Sequence, residues 1–165
     1  MKLTEITGLL NIDVGAPTPT IISNDSNLYL MFYSNADSIV NDPSQASSSV
    51  NNRRIYVLKF NLFFNYKFGM PGNEIIIGHP YSELGLQPYS FYQLEESDWI
   101  KDLMKIDSFH PYYNKEKWID FKHYILTFHD NMFECIAKDF EISEGTTSIY
   151  EQASTIINEI NADMR

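Results

Sequence analysis

The segment Thr127-Phe128-His129-Asp130-Asn131-Met132-Phe133-Glu134-Cys135-Ile136-Ala137 concentrates the residue types best able to do chemistry. A histidine flanked by carboxylates can serve as a general base, because imidazole titrates near neutral pH and a carboxylate can orient it. The flanking runs have strand character, and Asp130-Asn131 suits a turn. In that register Phe128 faces Phe133, Leu126 faces Cys135, and Glu134 lies opposite Thr127. His129 is then the diagonal neighbour of Glu134, about 7–8 Å away by backbone. His129, Asp130 and Glu134 are the candidate catalytic residues. Weighed against this, His, Asp and Asn are ordinary residues for a hairpin tip, and cross-strand polar pairs are ordinary on a solvated face.

Other chemistries find less support. In the same register Cys135 points to an apolar face, where a thiol behaves as a small hydrophobe. His123 and His129 share a face but are separated by about 20 Å at strand rise, too far for one ion. No H-x-x-x-H, G-x-S-x-G or G-x-G-x-x-G occurs, and no glycine-rich loop precedes a lysine. No metal and no cofactor is expected. Aromatic side chains in irregular segments offer contact area at low entropy cost. They fall around His79-Pro80-Tyr81 and around His110-Pro111-Tyr112-Tyr113. His79, Tyr81, Tyr112 and Tyr113 are the candidate binding residues. The competing reading is that these rings seal the rim of an aromatic-rich core.

The 127–137 segment, the His79-Pro80-Tyr81 element and the helix start at Trp99-Ile100 together resemble a motif of small bacterial proteins of unassigned function. The resemblance covers roughly 77–142, less than half of the chain. It implies a fold neighbourhood and no activity.

The elements that must position these residues follow from periodicity and turn chemistry. Asn24-Asp25-Ser26-Asn27 divides two runs, Pro19 to Ser23 and Leu28 to Ser34, that read as a hairpin. A long strand is expected from Ile55 to Phe68, with Tyr56, Leu58, Phe60, Leu62, Phe64 and Tyr66 on its core face. Met70-Pro71-Gly72-Asn73 reads as a type II turn, with Glu74 to Ile77 returning as the partner strand. Tyr89 to Glu95 is a further strand. Ser97 caps a helix carrying Trp99, Ile100, Leu103 and Met104 on one face, and Asn114 caps a short helix from Lys115 to Asp120. Lys122 to His129 and Met132 to Ile142 form the hairpin above. Its apolar face is Tyr124, Leu126, Phe128, Phe133, Cys135 and Ala137. The opposite face, expected to be polar, holds His123, Ile125, Thr127, His129, Met132, Glu134, Ile136 and Lys138. Ser148 and Glu151 form a capping box that opens a last helix. Its apolar stripe is Ile149, Ala153, Ile156, Ile157, Ile160 and Met164.

Together these predict an α+β fold in a single domain spanning 1–165. An antiparallel sheet of about six strands is built from three hairpins, with two main helices packed on it. Ten of the 19 residues in 34–52 are Ser or Asn, too little apolar area to offset ordering, so a mobile loop is expected there.

The chain has 165 residues and a net charge of −10. Five basic and seven acidic residues lie in 1–88, against seven and fifteen in 89–165. That balance argues against nucleic acid, which clustered Lys and Arg must hold, and against anionic lipid. No apolar run reaches membrane-spanning length. Met1 to Ile6 lacks the apolar stretch of a secretory signal and a single cysteine excludes an internal disulfide, so a cytoplasmic compartment is expected. The leading expectation is a soluble acidic interaction protein that neutralises or scaffolds a basic protein partner. The alternatives are a small enzyme using His129 with Glu134 or Asp130, and a small-ligand binder with its pocket near His79.

Overall fold

The computed structural model describes residues 1–35 and 54–163. In chain order the strands and α-helices are β1 (Lys2–Glu5), β2 (Thr20–Ser23), β3 (Leu28–Tyr33), β4 (Ile55–Asn61), β5 (Asn65–Gly69), β6 (Phe91–Glu95), α1 (Asp98–Asp107), β7 (Lys122–Thr127), β8 (Met132–Ala137), β9 (Asp139–Gly145) and α2 (Ile149–Asp163). The fold is α+β with two antiparallel sheets, so the expected single sheet of about six strands is corrected. One has five strands in the order β1-β6-β7-β8-β5, and the other has four in the order β2-β3-β4-β9. The chain divides accordingly into two compact units, 1–7 with 61–139 and 8–60 with 140–165. From residue 36 onward, the Ser/Asn-rich loop expected at 34–52 lies outside the described residues. Among the described residues no helix is long and apolar enough to cross a membrane.

The division explains where the long strand ends. Ile55 to Phe68 is not continuous: β4 stops at Asn61, and Leu62 turns the chain with φ +48°. Leu62 and Phe64, assigned to a core face by alternation, are exposed. Beyond the corner, β5 joins the five-stranded sheet through β8, with Tyr66 opposite Cys135 and Lys67 opposite Glu134. The expected return strand at 74–77 is instead a 3₁₀ turn, Asn73–Gly78. Of its three isoleucines only Ile76 is buried, while Ile75 and Ile77 face water. Three consecutive isoleucines have no alternation that would commit them to a strand face. The backbone here docks on the β7–β8 turn instead. Asn73 N–H donates to His129 O at 2.8 Å. A Cβ on Gly72 would stand 2.7 Å from that same oxygen, so only glycine allows the approach.

In the four-stranded unit the 20–33 hairpin forms as expected, with Ile21 opposite Leu30. Asn24 Oδ1 accepts from the Ser26 and Asn27 amides and closes its turn. The Ser148–Glu151 capping box is in place: Glu151 Oε2 accepts from Ser148 N–H, and Ser148 Oγ accepts from Glu151 N–H. Glu151 ionises more readily than an ordinary glutamate, because the Ser148 N–H and Oγ–H both donate to its carboxylate. α2 lays Ile149, Ile156 and Ile160 against Tyr29, Met31, Ile55 and Val57. Ile157, placed in the same stripe from sequence, is 47% exposed. The buried face is therefore narrower than the run of apolar residues.

Ile156→Ala should lower the unfolding free energy by about 2–5 kcal/mol, the usual cost of emptying a packed aliphatic site. Ile157→Ala should change it by less than about 0.5 kcal/mol. Urea denaturation of the two variants separates the packed side of α2 from its solvent side.

Candidate functional site

The site is built on β7 and β8, whose pairing differs from the expected register by two residues. Leu126 lies opposite Phe133, Ile125 opposite Glu134, and Thr127 opposite Met132. His129 and Asp130 form the turn, closed by Phe128 N–H donating to Asn131 O at 2.9 Å. A two-residue slip preserves which side chains share a face. Tyr124, Leu126, Phe128, Phe133, Cys135 and Ala137 are all buried, as the alternation required. The pairs across the ladder change. Glu134 moves away from His129 and becomes the diagonal neighbour of His123.

The face expected to be polar and solvated is buried from His123 to Thr127 and from Met132 to Ile136. Apolar neighbours on that side account for this. Ile125 and Met132 pack with Tyr92, Leu94, Ile76 and Leu86. Ile136 packs with Leu103 of α1 and with Trp118. His123 and Glu134 are thus enclosed among large side chains, and a polar group there must find partners within the protein.

They find each other. His123 Nε2 and Glu134 Oε2 are 2.8 Å apart, and His123 Nδ1 is 2.8 Å from Ser97 Oγ. Ser97 is the α1 cap, and its Oγ also accepts from Ile100 N–H at 3.3 Å. An ionised carboxylate only accepts, so Nε2 carries a proton toward Glu134. Burial opposes the charge on Glu134. The hydrogen bond from His123 and the electrostatic influence of His123, Lys67 and His79 outweigh it, and the carboxyl is held below the ordinary glutamate value. Lys67 Nζ lies 3.8 Å from Glu134 Oε1 and 3.8 Å over the Trp99 ring. The His123 ring meets the edges of Trp99 and Tyr81 at 5.2 and 6.1 Å between centroids.

His79 and Tyr81, chosen from sequence as binding residues, border this array. Burial pushes the His79 pKa down, with Glu134 opposing. Burial together with the Glu134 and Asp98 charges pushes the Tyr81 hydroxyl up to about 12. The three segments of the resemblance, 79–81, 99–100 and 127–137, therefore meet around His123. The remaining candidates lie elsewhere. His129 is at the turn, with Nδ1 3.0 Å from Asp130 Oδ1 and its ring beside Tyr89. Neither residue joins Glu134, so the expected His129–Glu134 pair is corrected. Cys135 is fully enclosed, and burial raises its thiol pKa well above the ordinary value.

Tyr112 and Tyr113 lie beyond α1, on a second candidate surface. Its floor is a packed trio: Trp118 lies 4.5 Å from Phe64 and 5.3 Å from Phe121 between ring centroids. Trp118 Nε1 donates to Asp107 Oδ2 at 2.9 Å. These residues, with Tyr112, Tyr113 and Lys117, line a cavity of about 260 Å³. An adjoining cavity of about 510 Å³ is lined by Met104, Trp118 and Ile119. Sequence reasoning did not single out Ser97 or His123 as site residues, nor Trp118 with Asp107. A usable signal existed for His123: Ile125, Met132 and Ile136 alternate with it and Glu134, which is not the pattern of a solvated face. Among the described residues no three His, Cys, Asp or Glu side chains converge as a metal site. No family model, curated protein or solved structure matches the chain.

Removing Glu134 leaves the buried His123 Nε2–H without its acceptor, so Glu134→Ala should cost about 1–3 kcal/mol. The pH dependence has a definite sign. The Glu134 pKa is depressed in the fold, so its contribution is complete above the ordinary value of 4.5 and is lost as pH falls through the folded value. Thermal melts taken below pH 4.5 should therefore fall more steeply for the natural chain than for Glu134→Gln. Parallel profiles would show that the carboxylate makes no such contribution.

Proposed function

We propose that this chain is a binding protein that engages a basic protein partner through the aromatic corner following α1. One observation carries the reading. Phe109, Tyr112 and Ile119 are 91%, 83% and 79% exposed, and Ile106 joins them. Four large apolar side chains in water within 14 residues, beside two cavities, mark a surface built for contact rather than isolated exposed residues. The net charge of −10 supports a basic partner, because it accelerates encounter with one and disfavours acidic competitors. The histidine array supports the same reading from the other side. His123 is fully buried and its hydrogen bonds end on Ser97 and Glu134, an arrangement suited to holding α1 on the sheet.

The test is site-specific photocrosslinking in native lysate. A crosslinker at Phe109 should give an adduct with a basic protein, and one at the exposed Glu83 should not. Raising salt from about 0.15 to about 1 M shortens the screening length from about 8 to about 3 Å, so the adduct should weaken. With the crosslinker kept at position 109, Tyr112→Ala and Ile119→Ala should each abolish it while shifting stability by less than about 0.5 kcal/mol. Equal adducts from both positions, or indifference to salt, would contradict the reading.

A further inference from the structure

We infer that the 260 Å³ cavity takes the guanidinium of an arginine side chain, supplied by the basic partner proposed above; the inference rests on that reading and deepens it. The lining combines aromatic rings and one carboxylate, which suit a guanidinium, with His110, Asn114 and Lys117. Phe64, Trp118 and Phe121 form an aromatic floor, and Tyr112 and Tyr113 stand around it. Rings attract a cation to their faces, and a planar guanidinium can also stack on them. Asp107 adds the charge. Its Oδ2 is engaged by the Trp118 indole, which fixes the carboxylate at the cavity edge and leaves Oδ1 to accept from a second donor.

An ammonium would satisfy the charge, but as a compact and strongly hydrated ion it gains less from an aromatic floor. An anion would meet Asp107 and the negative faces of the rings. Lys117 lines the same cavity and is exposed, so its stem can lie along the wall while its head remains in water. It is nonetheless a like charge near an incoming cation. That gives the proposal opposite signs at two positions: loss of the Asp107 charge weakens binding, and loss of the Lys117 charge strengthens it.

The Trp118 indole resonance of the full-length chain reports on the cavity in a proton–nitrogen correlation spectrum. The probes are N-acetyl-arginine amide, its citrulline counterpart of the same shape without charge, and the lysine counterpart. Arginine amide should shift the resonance saturably, lysine amide more weakly, and citrulline amide not at all. Asp107→Asn, which keeps an acceptor for the indole, should weaken arginine binding about tenfold, the scale of one charge-assisted hydrogen bond. Lys117→Met, on the surface, should strengthen it. Equal shifts from arginine and citrulline, equal shifts from arginine and lysine, no shift at all, or weakening by Lys117→Met would each overturn the assignment. Those results are independent of crosslinking at Phe109. A partner captured there with no arginine response removes this inference alone, and an arginine response with no partner removes the binding reading.

Discussion

The hydrogen bond between His123 and Glu134 is the constraint on which the five-stranded unit is arranged. Two polar side chains on neighbouring strands are taken out of water, and each ring nitrogen or carboxylate oxygen needs a partner. Glu134 answers with His123 on one oxygen and Lys67 near the other. His123 uses its second nitrogen on Ser97, which starts α1. A central strand, its neighbour, an edge strand and a helix cap are thereby tied to one point. Trp99, Ile100 and Leu103 of α1 pack with Trp118 and Ile136, but packing alone tolerates sliding. Directional hydrogen bonds at the helix start do not, so the polar array determines where α1 sits and hence where its far end presents the aromatic corner.

This separates two roles that the sequence places close together. Histidines and carboxylates near a hairpin suggest a reactive site. In the fold they are divided between an exposed turn, His129 with Asp130, and an enclosed array, His123 with Glu134. The enclosed array is bordered by the half-buried Trp99, Tyr81 and His79, and its hydrogen bonds end on groups of the chain itself. The exposed chemistry of the unit is mostly aromatic and lies beyond α1, where Trp118 is held by Asp107 and Phe64 comes from the corner after β4.

What was legible in the chain was local. The Ser97, Asn114 and Ser148 caps, the 20–33 hairpin and the side-chain parity of 124–137 follow from turn residues and from period-two alternation. The pairing of β7 with β8 was not legible, because a two-residue slip leaves every side chain on its face and the pattern is blind to it. The break at Leu62 was hidden for a related reason: alternation from Tyr56 to Tyr66 is unbroken, yet the strand changes sheets midway. The pairing of β1 with β6 joins residues about ninety positions apart, and nothing local in Lys2 to Glu5 announces it. Residue type alone picks out Glu134, His79 and Tyr81, and the fold gathers them around His123. His123 was seen only as a member of a face read as solvated, although the isoleucines beside it argued otherwise.

The most direct measurement is the imidazole nitrogen spectrum of His123 in the intact protein, read through long-range proton–nitrogen couplings. A buried bond to Glu134 predicts a proton on Nε2 that exchanges slowly with water, in contrast to His129 at the exposed turn. A His123 ring with Nε2 unprotonated, or with a proton exchanging as fast as that of His129, would contradict the account of the array as the closed point to which α1 and β5 are tied.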